Sequence, residues 1–439
     1  DIVLDKESFL QRKYVDNMIN LCNKYYYTLQ IQPGGDYDTA PAVKTETFTP
    51  QEIGTLQSIN TSKGYFGEYV NIRWRAIGAF DKFVIERRDI TDPKSTYMQI
   101  NMADASESVS EYTYVDKDGS AGITYDYRIF GVVKCASDTL RSDTLHDIGF
   151  RTPTGSLYGR VKFANEQGVE NVEVYLEAEN TAYMAGKSYQ FDGAGTLEVT
   201  NTNLLSQATT AITLQAYVKP VAKQTATIVS KQEMYELGLS EGIPVFKVGT
   251  ETLMAKNALE VNRYSHLTGV CSKDSMYIYV DGKIAVQSLR STKRVSSKDV
   301  PVVMGEGFKG YIDEVRLWNI SLDSVTVARD YNRYLVGNEA GLEAYYTFNY
   351  SVDTDFYDIS YLGSTYNENH GKVIGAVLSE DIPSNEQLGY RGVTASDGSY
   401  SILGIPYSGN GTTYTIIPHL GIHQFVSAKE VRKFGTGAQ

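Results

Sequence analysis

The sequence has little of what several functional classes depend on. Three cysteines, Cys22, Cys135 and Cys271, are scattered over 439 residues with no C-x-x-C pair. So sparse and odd a set suits buried free thiols better than a disulfide framework, and it lacks the ligand spacing of a zinc site. Basic charge is short: 41 Lys and Arg face 53 Asp and Glu, for a net charge of -12. The cations are also dispersed, which excludes the clustered patch that nucleic acid or an anionic membrane surface requires. No apolar run approaches the roughly 18 residues of a membrane helix. The opening "DIVLDKESFL" lacks the charged-then-apolar layout of a signal peptide. Because Asp1 stands where a start methionine would, the sequence reads as a processed or excised piece of something longer.

Tyrosine is what the chain has in abundance. There are 34 Tyr against 15 Phe and 2 Trp, with only 11 Pro. Together with frequent Thr, Val and Gly, this composition favours strands. The length suggests roughly three domains.

The stretch "GYIDEVRLWN" at 310–319 sets Asp313 beside Glu314. Its period of two predicts a strand, in which successive side chains point to opposite faces. Glycosidase carboxyls meet in one cleft, about 5 Å apart in retaining enzymes and roughly 6.5–9.5 Å apart in inverting ones. Neighbours on a strand diverge, and the same-face spacing E-x-D-x-x-E is absent. The expectation is a molecule that holds rather than cuts.

Two stretches are copies of one pattern: "NKYYYTLQI" followed by "KTETFTPQEIGTL", and "ITYDYRIFGVV" followed by "HDIGFRTPTGSL". Upstream of the second copy, "GEYVNIRWRAIGAFDKFVIERRD" adds two alternating strands with Trp74 on the first. Residues 51–152 thereby resemble a fibronectin type III domain, and residues 1–50 resemble the C-terminal part of a second one. "SLYGRVKFANEQGVENVEVYLEAEN" and the later "GYRGVTASDGSYSILGIPYSGNGTTYTIIPHLGIHQF" resemble two halves of a carboxypeptidase regulatory-like, prealbumin-like sandwich, spanning 153–182 and 385–432. Asp397 and Gly398 would form its hairpin turn, with Tyr400, Ile402 and Ile405 facing inward. Residues 183–384 would then be inserted in one of its loops.

That insert carries "SYQFDGAGTLEV", "ITLQAYVKP", "IVSKQEMYELGLSEGIPVFKVG", "HLTGVCSKDSMYIYVDGKIAV", "GYIDEVRLWNISLDSVTVARDYNR" and "GLEAYYTFN". Their order resembles a laminin G-like domain, the concanavalin A-like jelly roll. Independently of the resemblance, "MYIYVDGKIAV" reads as strand, Asp281-Gly282 turn, strand. Ser321 after "RLWN" is placed to cap a helix from Leu322 to about Asn332 that buries Val325 and Ala328. The fold class expected is all-β: multidomain β-sandwiches including a concanavalin A-like jelly roll with one short helix.

Several motifs reduce to structure. "GEGFKG" at 305–310 matches G-x-G-x-x-G, but a strand follows where a dinucleotide site needs a helix N-terminus. His419 and His423 in "HLGIH" would share a helix face, yet Pro418 and Gly421 favour a turn. The laminin G-like resemblance implies calcium held by loop carboxylates, with Asp192 in "FDG" and Asp313 as the ligands; turn-capping by either Asp competes with that reading. Asp353, Asp355 and Asp358 in "DTDFYD" have calcium-loop spacing, although a solvated acidic loop explains them as well. With Trp318 in a buried strand and Trp74 in another domain, sugar stacking would fall to Tyr235, Tyr264, Tyr331 or Tyr366.

The resulting expectation is a non-catalytic protein of the extracellular space or a bacterial cell surface, an adhesin-like binder of glycan or protein ligands. Further domains of the same parent chain are expected partners; nucleic acid and membrane insertion are not. Two rival readings are a structural stalk, filament or secretion-associated component without sugar binding, and a glycoside hydrolase.

Overall fold

The computed structural model describes residues 16, 22–30, 41–47, 53–90, 92–106, 109–135, 138–179, 186–206, 211–290, 298–349, 354–362, 365–366, 369–407, 411–426 and 429–435. Asp353 lies outside them. The chain divides into two compact units. The first holds residues 1–62, 69–119 and 123–149; the second holds residues 63–68, 120–122 and 150–439.

In the first unit, strands Thr55–Thr61, Val70–Ile77 and Glu111–Asp116 form one antiparallel sheet. Leu145–Gly149, Tyr125–Lys134, Lys82–Asp89 and Met98–Asp104 form the other, with Thr139–Arg141 paired to Tyr125–Lys134. The alternation in "VNIRWRAI" sends Val70, Ile72, Trp74 and Ala76 inward to meet Phe83, Ile85, Tyr127 and Ile129 from the facing sheet. Trp74 stacks on Tyr112 at 5.5 Å and meets Phe83 edge-on, a geometry that adds to simple burial. The expectation of three free thiols is corrected here: Cys22 and Cys135 form a disulfide, and only Cys271 is a buried free thiol. Sequence distance hid the pair, because 113 residues separate two Cα atoms that lie 5.1 Å apart.

The second unit is built on two eight-stranded antiparallel sheets. The front sheet runs Lys283–Leu289, Ser275–Val280, Ser265–Cys271, Ile212–Pro220, Lys309–Trp318, Ser188–Asp192 and Val377–Ser379, with Leu342–Tyr346 added beside Lys309–Trp318. The back sheet runs Glu251–Met254, Ile243–Val248, Tyr235–Ser240, Ala226–Lys231, Val302–Met304, Thr196–Val199, Gly371–Ile374 and Asp355–Phe356. Leu214, Ala216, Leu237, Phe246, Ile278 and Leu317 are among the residues filling the space between them. The front sheet also buries its outer face, where Trp318, Val270, Tyr279 and Tyr345 pack under Leu322, Val327 and Leu335. Burial on both sides explains why Ser265–Cys271 and Ile212–Pro220 read as nearly continuous buried runs.

Local signals act as their chemistry dictates. Asp281 and Gly282 both adopt positive φ, 48° and 73°, the requirement of the tight turn joining Ser275–Val280 to Lys283–Leu289. A Cβ on Gly282 would lie 2.5 Å from the Tyr331 ring. The single helix among the described residues spans Ser324–Asp330 and is capped by Asp323, whose carboxylate accepts the Thr326 N–H at 2.7 Å. Ser321 is therefore not the cap. The buried helix positions are Val327 and Asp330, whereas Val325 is 74% exposed and Ala328 is also on the surface. Starting the helix two residues later rotates its apolar stripe accordingly.

Distant segments also interleave. Thr154–Arg160 pairs with Ser399–Pro406, and Glu173–Ala178 lies between Arg391–Val393 and Thr412–His419. Val174, Leu176, Ile402, Ile405, Tyr414 and Ile416 form a small core there. His419 ends a strand and His423 lies exposed in the turn beyond it.

Candidate functional site

Strand Lys309–Trp318 is irregular at the place the sequence made conspicuous. Gln215 pairs with Arg316 and Tyr217 pairs with Asp313, so one residue of the partner strand opposes Glu314 and Val315. This β-bulge sets Glu314 at φ 52° and resets the alternation. Ile312, Val315 and Leu317 enter the central core, while Asp313, Glu314 and Arg316 all turn to the outer face. The expectation that neighbouring acids diverge is thus corrected: the extra residue puts both on one side. They do not meet in a groove, however, because Asp313 is 4% and Glu314 0% exposed.

Glu314 accepts the Tyr345 hydroxyl at 2.6 Å and Arg316 Nη2 at 3.0 Å. Arg316 in turn donates to the carbonyls of Asp330 at 2.8 Å and Arg333 at 2.7 Å. Asp313 Oδ1 accepts the Glu314 N–H at 2.7 Å. Burial, reinforced by the neighbouring Glu314, pushes the Asp313 carboxyl well above the usual carboxylate range. Burial also raises Glu314, against the pull of Arg316. Three polar atoms of this cluster, Glu314 Oε1, Arg316 Nε and His266 Nε2, are buried without a partner among the described residues.

His266 sits behind the acids, fully buried, with its ring edge-on to Tyr217 at 4.9 Å and tilted to Tyr331 at 6.1 Å. Burial, then the charge of Arg316, holds its pKa well below the ordinary histidine value. The folded state keeps the ring neutral while the unfolded chain takes up a proton below about pH 6.5. This contribution therefore reduces stability as pH falls through that value, with a limiting slope of about 1.4 kcal/mol per pH unit. In His266→Asn, urea unfolding between pH 6 and 4.5 should show a slope shallower by about that amount; an unchanged slope would contradict a neutral buried ring.

Above this cluster opens a cleft of about 330 Å³. Its walls come from four separated stretches: Lys63–Glu68, Phe150–Thr154, the segments around Tyr334 to Tyr361, and Tyr390 with Gly404–Tyr407. Tyr65, Tyr334, Tyr345, Tyr361, Tyr390 and Tyr407 supply rings, and Asn349, Thr152 and Glu68 supply polar groups. Tyr65 is fixed by donating to the Asp358 carbonyl at 3.0 Å and by an edge contact with Tyr361 at 6.1 Å. Among the described residues, the hydroxyls of Tyr334 and Tyr407 have no hydrogen-bond partner, which leaves both as donors and acceptors for a bound molecule. Asp313 and Glu314 do not line the cleft. Tyr345 stands between Glu314 and the cavity.

The residues singled out from sequence lie elsewhere. Asp192 is exposed, and its Oδ1 accepts the N–H groups of Ala194 at 2.8 Å and Gly195 at 3.2 Å, bonds that lower its pKa. It pairs in register with Lys309, so four strand positions, roughly 13 Å, separate it from Asp313. One exposed turn-capping carboxylate and one buried carboxyl so far apart do not fit a shared calcium ion. Among the described residues, no group of three or more His, Cys, Asp or Glu could hold a metal. Asp355 pairs with Lys372. Asp358 is buried rather than solvated, accepting N–H groups of Tyr345, Ser360 and Asn369. Tyr235 and Tyr264 are buried, and Tyr331 covers Gly282. The backbone of Tyr366 pairs with Tyr361; its side chain lies outside the described residues. No sequence signal pointed to the six cleft tyrosines, since nothing local distinguishes them from structural ones.

A family model described as the concanavalin A-like lectin/glucanases superfamily matches residues 191–328. No curated protein matches the chain. Among solved structures, a Bacteroides ovatus protein provisionally described as carbohydrate-binding is 12% identical, over 74% of this chain and 98% of that one, with a TM-score of 0.39. Domain 4 of AbnA, a GH43 extracellular arabinanase from Geobacillus stearothermophilus in complex with arabinotriose, is 16% identical over 39% and 86%, with a TM-score of 0.28. The receptor binding domain of botulinum neurotoxin D is 13% identical over 63% and 74%, again at 0.28. Likeness at these TM-scores carries no functional argument. What the family match establishes is that the two-sheet body of the second unit contains, at residues 191–328, a concanavalin A-like domain.

Proposed function

We propose that the protein is a non-catalytic binder of saccharide, working outside the cytoplasm in recognition or adhesion at a bacterial surface. The observation that carries this reading is the cleft walled by Tyr65, Tyr334, Tyr345, Tyr361, Tyr390 and Tyr407. Tyrosine offers a flat apolar ring for the C–H face of a sugar and a hydroxyl for its polar rim, at a low cost in side-chain entropy. The Cys22–Cys135 disulfide supports an oxidising compartment. The hydrolase alternative draws on the superfamily's inclusion of glucanases. Against it, the adjacent acids Asp313 and Glu314 are both buried, Glu314 beneath Tyr345, rather than set on either side of a substrate.

The test is calorimetric titration with neutral polysaccharides and their oligosaccharides, together with an assay for released reducing sugar. Tyr407→Ala should lose on the order of 2 kcal/mol of binding, about 30-fold in Kd, as expected for an aromatic anchor. Binding to none of the panel, unchanged affinity in Tyr407→Ala, or steady release of reducing sugar would each overturn the proposal.

A further inference from the structure

We infer that the cleft continues over a tyrosine saddle into a second subsite, and that its ligand is an uncharged oligosaccharide chain rather than a single terminal sugar or an acidic glycan. The inference rests on the saccharide reading and adds length and charge to it.

A second cavity of about 210 Å³ adjoins the first, lined by Arg333, Tyr334, Glu339, Tyr390, Arg391 and Leu403. Tyr334, Val336 and Tyr390 line both cavities. The rings of Tyr334 and Tyr390 lie 4.8 Å apart at 33°, so this tilted pair forms the common wall. The wall is built in. Tyr334 N–H donates to the Gly389 carbonyl at 3.2 Å, and Gly389 N–H donates to the Asn332 carbonyl at 3.1 Å. A ridge fixed before binding spares a ligand the cost of ordering it. The larger cavity alone lies at the low end of the roughly 300–1,000 Å³ that small-molecule sites occupy, and a smaller one beyond a shared aromatic ridge suits the next units of a chain.

The arginines at the second cavity already hold carboxylates. Arg333 Nε donates to Asp330 at 2.7 Å, and Arg391 Nη1 donates to Glu173 at 2.5 Å. Glu339 accepts the N–H groups of Val336 and Gly337, both at 2.9 Å. Both lining arginines among the described residues thus already hold a carboxylate, Asp330 being shared with Arg329, which weakens their pull on an anionic sugar, and the net charge of -12 repels it further. Neutral hydroxyls can instead use the outer lone pairs and N–H groups of these pairs.

The experiment is a length series of neutral cello-, xylo-, manno- and arabino-oligosaccharides, with galacturonate oligomers as the acidic counterpart, titrated into the intact chain. Leu403 and Asn338 line only the second cavity and are exposed, so Leu403→Arg and Asn338→Trp would fill it without entering a core. Affinity should rise at least 10-fold from disaccharide to tetrasaccharide. Both variants should abolish that rise while leaving disaccharide affinity unchanged, and the acidic series should bind at least 10-fold more weakly. Equal affinity for short and long chains, or variants that preserve the length effect, would remove the second subsite and leave saccharide binding intact. Preference for galacturonate would overturn the neutral assignment. If no saccharide binds, both this inference and the reading beneath it fall.

Discussion

Arg316→Met lowers the stability of the second unit by about 3–5 kcal/mol, the usual cost of removing one partner from a buried ion pair. Arg316 is 0% exposed, and its guanidinium joins Glu314, the Asp330 carbonyl and the Arg333 carbonyl. Without it, Glu314 would keep a buried charge supported only by the Tyr345 hydroxyl, on a residue already held at positive φ. The loss should shrink in the double variant Arg316→Met with Glu314→Gln, because neutralising the second partner removes the uncompensated charge. Urea unfolding followed by tryptophan fluorescence measures this directly. The two tryptophans lie in different units, so Trp74→Phe makes Trp318 the sole reporter of the front sheet. A loss under about 1 kcal/mol would show that the pair is not desolvated as described.

Asp358→Ala should cost about 3 kcal/mol or more, since it strands several buried donors at roughly 1–3 kcal/mol each. The Asp358 carboxylate accepts N–H groups from Tyr345 at 3.0 Å, Ser360 at 2.8 Å and Asn369 at 3.1 Å, and the Asn369 side-chain amide at 3.1 Å. It thereby ties front-sheet strand Leu342–Tyr346 to the segment leading into back-sheet strand Gly371–Ile374. Burial lifts its pKa to about 6 despite those donors. Asp358→Asn should recover only part of the loss, because an amide presents two oxygen lone pairs to one side and N–H groups to the other. The same fluorescence titration reads both variants, and equal stability of wild type and Asp358→Ala would show that solvent satisfies these donors.

The class of fold was legible because its signals are local. Tyrosine-rich alternation, the Asp281-Gly282 hairpin and the "RLWN" exit before a short helix each depend on neighbouring residues. The helix start was misplaced by two residues because Ser321 and Asp323 are both competent caps, and only the packing of Val327 chooses between them. The bulge at Glu314 was illegible for a different reason. A period of two assumes an unbroken ladder, and whether a residue is extruded depends on the partner strand Ile212–Pro220 nearly a hundred positions upstream.

By itself the sequence determined the strands, the turns, the lack of a basic surface and a concanavalin A-like domain, since period, turn chemistry and composition act over a few residues. Tertiary structure alone decided which cysteines join, which acids share a face and are then sealed from solvent, and which six of 34 tyrosines wall a cleft. Those outcomes depend on segments brought together from positions 63–68, 150–154, 334–361 and 390–407. Local residue preferences do not encode such distances; the burial of two sheet faces does.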